Sequence, residues 1–157
     1  MKASVYIETS VFSYLTARAS NDLRAMANQS ATLDWWETQR ANYNVFISEL
    51  VVSEASKGHP EASQRRLAVI NDLPLIVISE EVRGLAQALI ENHALPQKAE
   101  ADAYHVAIAV VHGMEYLLTW NCTHIANAHT RPKIEATCRR LGYEPPVICT
   151  PLELTED

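Results

Sequence analysis

Strand and helix signals alternate along the whole chain, and every connection between neighbouring strand candidates is too long for a hairpin. That pattern fixes the pairing. Antiparallel neighbours need only a tight turn, whereas parallel neighbours need a crossover of a dozen or more residues, usually a helix. The strand candidates are Ser4–Ile7, Asn44–Ile47, Leu75–Ile78, Tyr116–Thr119 and Val147–Cys149. Helical stretches separate them. Leu23–Tyr43 carries Trp35 and Trp36 in its buried stripe. Glu49–Lys57 follows a Ser48 N-cap, Pro60–Asn71 opens on proline, and Glu80–Asn92 follows a Ser79 N-cap. Ala99–His112 and Pro132–Leu141 come last, and Gly58, Gly113 and Gly142 stand where helices must stop. The expectation is an α/β layered fold with a parallel sheet. The helix Ala99–His112 is apolar nearly all round beyond its first turn, so it is expected to be buried. A length of 157 residues without repeat, linker or low-complexity segment fits a single domain over residues 1–157.

Composition narrows the function classes. The longest apolar stretch, Val106–Val111, is far too short to span a bilayer, so no membrane partner is expected. Met1-Lys2 leads straight into a strand-like run with no signal-peptide pattern, and a cytoplasmic protein is expected. Cys122, Cys138 and Cys149 lack CxxC spacing, which argues against a disulfide framework or a structural zinc site and for reduced packing residues. No pair among the six histidines stands in a HExxH-like arrangement. The net charge of −6 runs against nonspecific nucleic-acid binding, which favours a basic surface, although clustered metal-binding carboxylates themselves make a chain acidic. Between His124 and Arg140, the cations Arg131, Lys133, Arg139 and Arg140 face only Glu135. That segment is a candidate phosphate contact, and equally a solvated helix face.

In α/β sheets functional groups gather at the carboxyl ends of the strands, and the chain's isolated acids fall there. Glu8 directly follows the first strand candidate, with Thr9 and Ser10 ready to cap the next helix and to donate to a carboxylate. Glu54 follows the second strand and shares a helix face with Leu50 and Val51, where a carboxylate needs a cation or hydrogen-bond donors. Its neighbour Glu49 is explained by the helix dipole. Asp102 sits in the first turn of the apolar helix, above Val106 and Ala109, while Glu100 points elsewhere. Asn121 closes the run after the fourth strand and can offer a carbonyl oxygen to a hard cation or accept from a bound water. Each residue alone has a bland reading: a loop acid, a dipole-compensating acid, a turn asparagine. Their joint placement carries the signal. His124 and Asn127 read as supporting residues, and His105 and His112 as packing or surface residues.

These residues resemble the motifs of the PIN-domain family, which includes the VapC-like toxins of bacterial toxin–antitoxin pairs. Tyr6-Ile7-Glu8-Thr9-Ser10-Val11 resembles the first motif, with Glu8 where the family usually has Asp. Ser48–Ala55 with Gly58 resembles the second, Glu54 taking the acidic position, and Ala101–Ala107 resembles the third around Asp102. Leu118–His124 resembles the fourth, where the family has Asp or Asn and this chain has Asn121. The resemblance spans nearly the whole chain in the right order. It implies a three-layer α/β/α fold and an endoribonuclease dependent on Mg²⁺ or Mn²⁺. It also implies a homodimer and a small antitoxin that blocks the site.

On this reading Glu8, Glu54 and Asp102 hold the metal, Asn121 completes the catalytic set, and Thr9, Ser10 and Thr119 orient the ligands. Like charges so clustered are expected to raise the pKa of at least one acid in the metal-free protein, and Glu8→Gln is then expected to stabilise it. Two other classes stay open: a catalytically idle PIN-like module that binds RNA or a protein partner, and a metal-dependent phosphoesterase acting on a small substrate.

Overall fold

The computed structural model describes residues 1–157. Five parallel strands, β1 (Ala3–Ile7), β2 (Tyr43–Ser48), β3 (Leu75–Ile76), β4 (Tyr116–Leu118) and β5 (Val147–Cys149), form one sheet in the order β3-β2-β1-β4-β5. Helices α1 (Thr9–Thr16) and α2 (Leu23–Asp34) join β1 to β2, and α3 (Glu49–Ala55) and α4 (Pro60–Ile70) join β2 to β3. Helices α5 (Glu80–Glu91) and α6 (Glu100–Val111) return the chain to β4, and α7 (Arg131–Arg140) leads to β5. The chain thus winds outward from β1 to β3, then crosses back to the other side of β1. Helix α1 packs with α2, α3 and α4, and α5 with α6 and α7, the two groups that right-handed crossovers place on opposite faces of the sheet in three layers. The winding reverses between β1 and β4, and the carboxyl ends of the strands at such a switch point are where α/β sheets hold their functional groups.

The elements follow local chemistry. Ser48 and Ser79 cap α3 and α5, their hydroxyls accepting from Val51 and Val82 N–H at 3.3 Å each. Gly58, Gly113 and Gly142 adopt φ of 88°, 68° and 88°, the left-handed conformation that lets the chain leave a helix. Helix α6 is buried from Val106 to Val110, along with Ala103 and His105. It lies beside a sheet centre in which Val5, Tyr6, Ile7, Leu117 and Leu118 are all sealed from solvent.

Three expectations are corrected. The helix over Leu23–Tyr43 ends at Asp34, giving way to a π-helical turn (Trp35–Gln39) and a 3₁₀ turn (Arg40–Asn42). Tyr43 pairs with Ala3 in the sheet instead. The widened turn lets both adjacent indoles pack: Trp35 stacks on Tyr43 at 6.0 Å between centroids, and Trp36 meets Phe12 edge-on at 5.9 Å. The strand over Leu75–Ile78 is only two residues long, with Val77 exposed at the sheet edge. Of the cysteines, Cys138 and Cys149 pack inside, and burial pushes their thiols up to about 11 and about 12, but Cys122 is exposed. All three are free thiols. No helix is long and apolar enough to cross a membrane.

Candidate active site

The sheet ladder itself brings the first acid to the switch point. Beyond the end of β1, Glu8 N–H still donates to Leu118 C=O at 3.0 Å, and Thr119 N–H donates to Cys149 C=O at 3.0 Å. Glu8 and Thr119 therefore lie side by side across the switch point. The Thr119 hydroxyl donates to Glu8 Oε1 at 2.6 Å, and the Ser10 hydroxyl donates to the same oxygen. Ser10 N–H donates to Glu8 Oε2 at 3.1 Å. Glu8, not Thr9 or Ser10, is thus the N-cap of α1, which corrects the capping expected from the sequence. Its 6 % exposure is tolerable for a charge because three donors and a helix N-terminus surround it.

Glu54, on α3, receives a second set of donors. The Thr9 hydroxyl donates to Oε1 at 2.6 Å, and His105 Nε2 lies 2.6 Å from the same atom. His105 Nδ1 is 2.7 Å from the Tyr6 hydroxyl, which is 2.7 Å from Ser48 Oγ. Glu8, Glu54 and His105 each present one ligand atom, all within 4.8 Å of one another. A pair of carboxylates and a histidine, at the switch point of an all-parallel sheet, is a site that can hold a divalent cation.

A protein-family model for the PIN domain matches residues 5–121, three quarters of the chain, taking in the first three motifs whole and the fourth as far as Asn121. The chain belongs to the PIN domain family. Among curated proteins no sequence matches it. Solved structures do. VapC20 of Mycobacterium tuberculosis, described as a sarcin–ricin loop cleaving toxin, superposes with a TM-score of 0.59 at 14 % identity, covering 76 % of this chain and 92 % of its own. VapBC2 of Rickettsia felis, solved bound to a promoter DNA fragment, superposes with a TM-score of 0.59 at 14 % identity, covering 94 % of this chain and 98 % of its own. At such identity the likeness shows the fold.

Within this PIN domain the predicted residues divide. Glu8 and Glu54 come together, and the hydroxyls of Thr9, Ser10 and Thr119 donate to them. Asp102 is not in that group. It lies one turn before His105 on α6, and its Oδ2 is 3.0 Å from His124 Nδ1. Asn121 holds the turn after β4, its Oδ1 accepting from His124 N–H at 3.0 Å. His124 therefore links Asp102 to Asn121, a supporting part as read from the sequence. Asn127 closes the next turn, accepting from His129 N–H at 2.8 Å and donating to Cys122 C=O at 2.9 Å. In the basic segment Arg139 faces Glu135 at 3.9 Å and Glu144 at 3.6 Å, while Arg131, Lys133 and Arg140 take part in no ion pair. The residue missed from the sequence is His105, read there as a packing or surface residue.

Glu54 also reverses the expected electrostatics. Burial raises its pKa, but the hydrogen bonds from His105 and the Thr9 hydroxyl, with the charge of Lys57, together outweigh burial, and the net shift is downward. A depressed carboxyl stabilises the fold above its unfolded pKa, and that contribution is lost as pH falls through the lower folded value. Glu54→Gln should therefore be less stable than wild type at pH 6, and the gap should narrow steadily as pH is lowered below about 4. Urea melts of both proteins from pH 6 to pH 3 measure this. A gap that widens on acidification would contradict the assignment.

Proposed function

We propose that this PIN domain protein is a divalent-metal-dependent endoribonuclease and the toxin of a toxin–antitoxin pair. The observation that carries the reading is the state of the two acids. Each has one oxygen saturated by a pair of side-chain donors: Ser10 and Thr119 on Glu8, Thr9 and His105 on Glu54. No side chain or backbone N–H of the protein binds Glu54 Oε2. Carboxylates fixed in orientation, each retaining acceptor capacity, fit a hard cation that takes oxygen ligands. Mg²⁺ or Mn²⁺ matches this donor set.

Glu8 and Glu54 would hold the ion, with Asp102 and Asn121 flanking them as the third acid and the amide. Bound there, a divalent ion supplies a water of lowered pKa and shields the charge of the phosphodiester. The chain's own part is geometric. Thr119 and Ser10 fix Glu8, Thr9 and His105 fix Glu54, and Asp102 is steadied by His124. The substrate class rests on family membership and on the sarcin–ricin loop cleaving toxin that shares the fold. The small antitoxin partner rests on the VapBC2 neighbour, and a homodimer on the family. A second reading, the idle binding module, draws on Asp102, whose carboxylate is engaged by His124 instead of pooled with the other two acids.

Metal binding separates the two. An ion that binds only the folded state at about 100 times its Kd adds about 2.7 kcal/mol. For a chain of this size that raises Tm by about 5–10 °C. Thermal melts at neutral pH with Mn²⁺, beside EDTA controls, should show this rise, and a mixed RNA pool should be cut only in the metal arm. No Mn²⁺-dependent shift and no cleavage would favour the idle module.

A further inference from the structure

Ser48, Tyr6 and His105 form a hydrogen-bonded row that is 0 % exposed from end to end and stops at Glu54, at the solvent edge. Hydrogen counting gives it a direction. Ser48 Oγ accepts from Val51 N–H, and the Tyr6 oxygen is its one other hydrogen-bond partner, so that oxygen is the only acceptor for the Ser48 hydrogen. The Tyr6 hydroxyl then donates to His105 Nδ1, leaving Nε2–H to donate to Glu54 Oε1. Every hydrogen finds an acceptor in this arrangement. The reverse direction leaves the Ser48 hydrogen with none.

The row also closes a loop through the fold. Ser48 is the N-cap of α3, the helix that carries Glu54. Tyr6 lies two residues before Glu8 on β1, and so on the same face of that strand. His105 lies one turn after Asp102 on α6. Each element carrying a candidate acid therefore contributes a member. A histidine needed only for packing would be satisfied inside the core, or replaced by an apolar residue like its neighbours Ala103, Val106 and Ala107. This one sends its outer nitrogen to a carboxylate that is 28 % exposed.

We infer that His105 is a positioning residue for the metal site: locked by Tyr6 and Ser48, it fixes the Glu54 carboxylate for cation binding. This rests on the metal-dependent reading above. The alternative, His105 as a direct ligand, needs Nε2 stripped of its hydrogen and parted from Glu54.

The test is Mn²⁺ affinity of the full chain, read by electron paramagnetic resonance of free Mn²⁺, with circular dichroism to confirm folding. His105→Leu should weaken binding by roughly 10–100-fold, the usual loss when a partner that orients a ligand is removed. Tyr6→Phe, which deletes one oxygen and keeps the ring, should weaken it by about tenfold, the low end of that range. His105→Gln, whose amide N–H can still reach Glu54, should stay within about threefold of wild type. Folded Tyr6→Phe and His105→Leu proteins that bind as tightly as wild type would overturn the positioning role alone. His105→Gln as weak as His105→Leu would point to direct ligation and also overturn it. If His105→Leu does not fold, Tyr6→Phe decides. Wild type that binds no Mn²⁺ would overturn the metal reading and the role together.

Discussion

Glu8→Gln is expected to abolish metal-dependent RNA cleavage, lowering the rate by roughly 10³-fold or more, because several kcal/mol of transition-state stabilisation depends on the ion. Gln keeps the volume and reach of Glu and removes the charge that holds the cation. The structure changes what the same swap does to the metal-free protein. Repulsion from neighbouring acids predicts stabilisation, but Glu8 is the N-cap of α1 and accepts from two hydroxyls and a backbone N–H. An amide can turn its oxygen toward only one of those donor sets. Its NH₂ then faces Ser10 N–H or the two hydroxyls, and the favourable charge at the helix N-terminus is gone. The variant should therefore lose about 1–2 kcal/mol. In Tm that is about 2–8 °C. Glu8→Asp keeps the charge and remains a favoured N-cap, so it should retain cleavage with Mg²⁺. The measurements are thermal melts in EDTA and cleavage of a mixed RNA pool with Mg²⁺ or Mn²⁺. A Glu8→Gln protein that cuts like wild type would remove Glu8 from the site. One that melts higher than wild type without metal would show that repulsion outweighs the cap.

What the sequence discloses and what it hides divide along physical lines. Features set by neighbours in the chain were legible. The Ser48 and Ser79 caps, the glycine stops and the parallel sheet all follow from local pattern. So did the placement of Glu8 and Glu54, because acids after strands land at the carboxyl edge by topology. Features set by contacts across the fold were not. His105 pairs with Glu54 across 51 positions and with Tyr6 across 99, and a lone histidine in an apolar helix gives no spacing signal. The one local clue was its position three residues after Asp102, on the same helical face. Glu8 as an N-cap was hidden because glutamate is not a favoured cap, and two better candidates, Thr9 and Ser10, follow it. The π-helical turn was hidden because helix periodicity continues through Trp35 and Trp36, and only the Tyr43–Ala3 pairing ends it.

That turn yields the largest expected effect on stability. Trp35 is 1 % exposed, stacks on Tyr43 at the start of β2, and donates Nε1–H to Leu154 C=O at 2.9 Å. One side chain thus joins the widened turn, the sheet and the C-terminal segment. Trp35→Ala removes the ring, leaves a cavity beside Tyr43 and strands a carbonyl, which should cost about 3–5 kcal/mol. Tm should fall by about 6–20 °C. Trp35→Phe keeps part of the stack and loses the N–H donor, so its cost should be smaller, about 1–2 kcal/mol. The effect should be confined to stability. Tyr43 opens β2, whereas Glu8, Glu54 and Thr119 lie beyond the opposite ends of the strands. Mn²⁺ affinity of Trp35→Ala, measured well below its melting temperature, should therefore match wild type. Urea melts and Mn²⁺ titrations on the same preparations distinguish the outcomes. A loss below about 1 kcal/mol would show that the turn relaxes around the missing indole. A large loss of Mn²⁺ affinity in the folded variant would mean that the two ends of the sheet are coupled, and that the acid cluster is not the self-contained unit its hydrogen bonds describe.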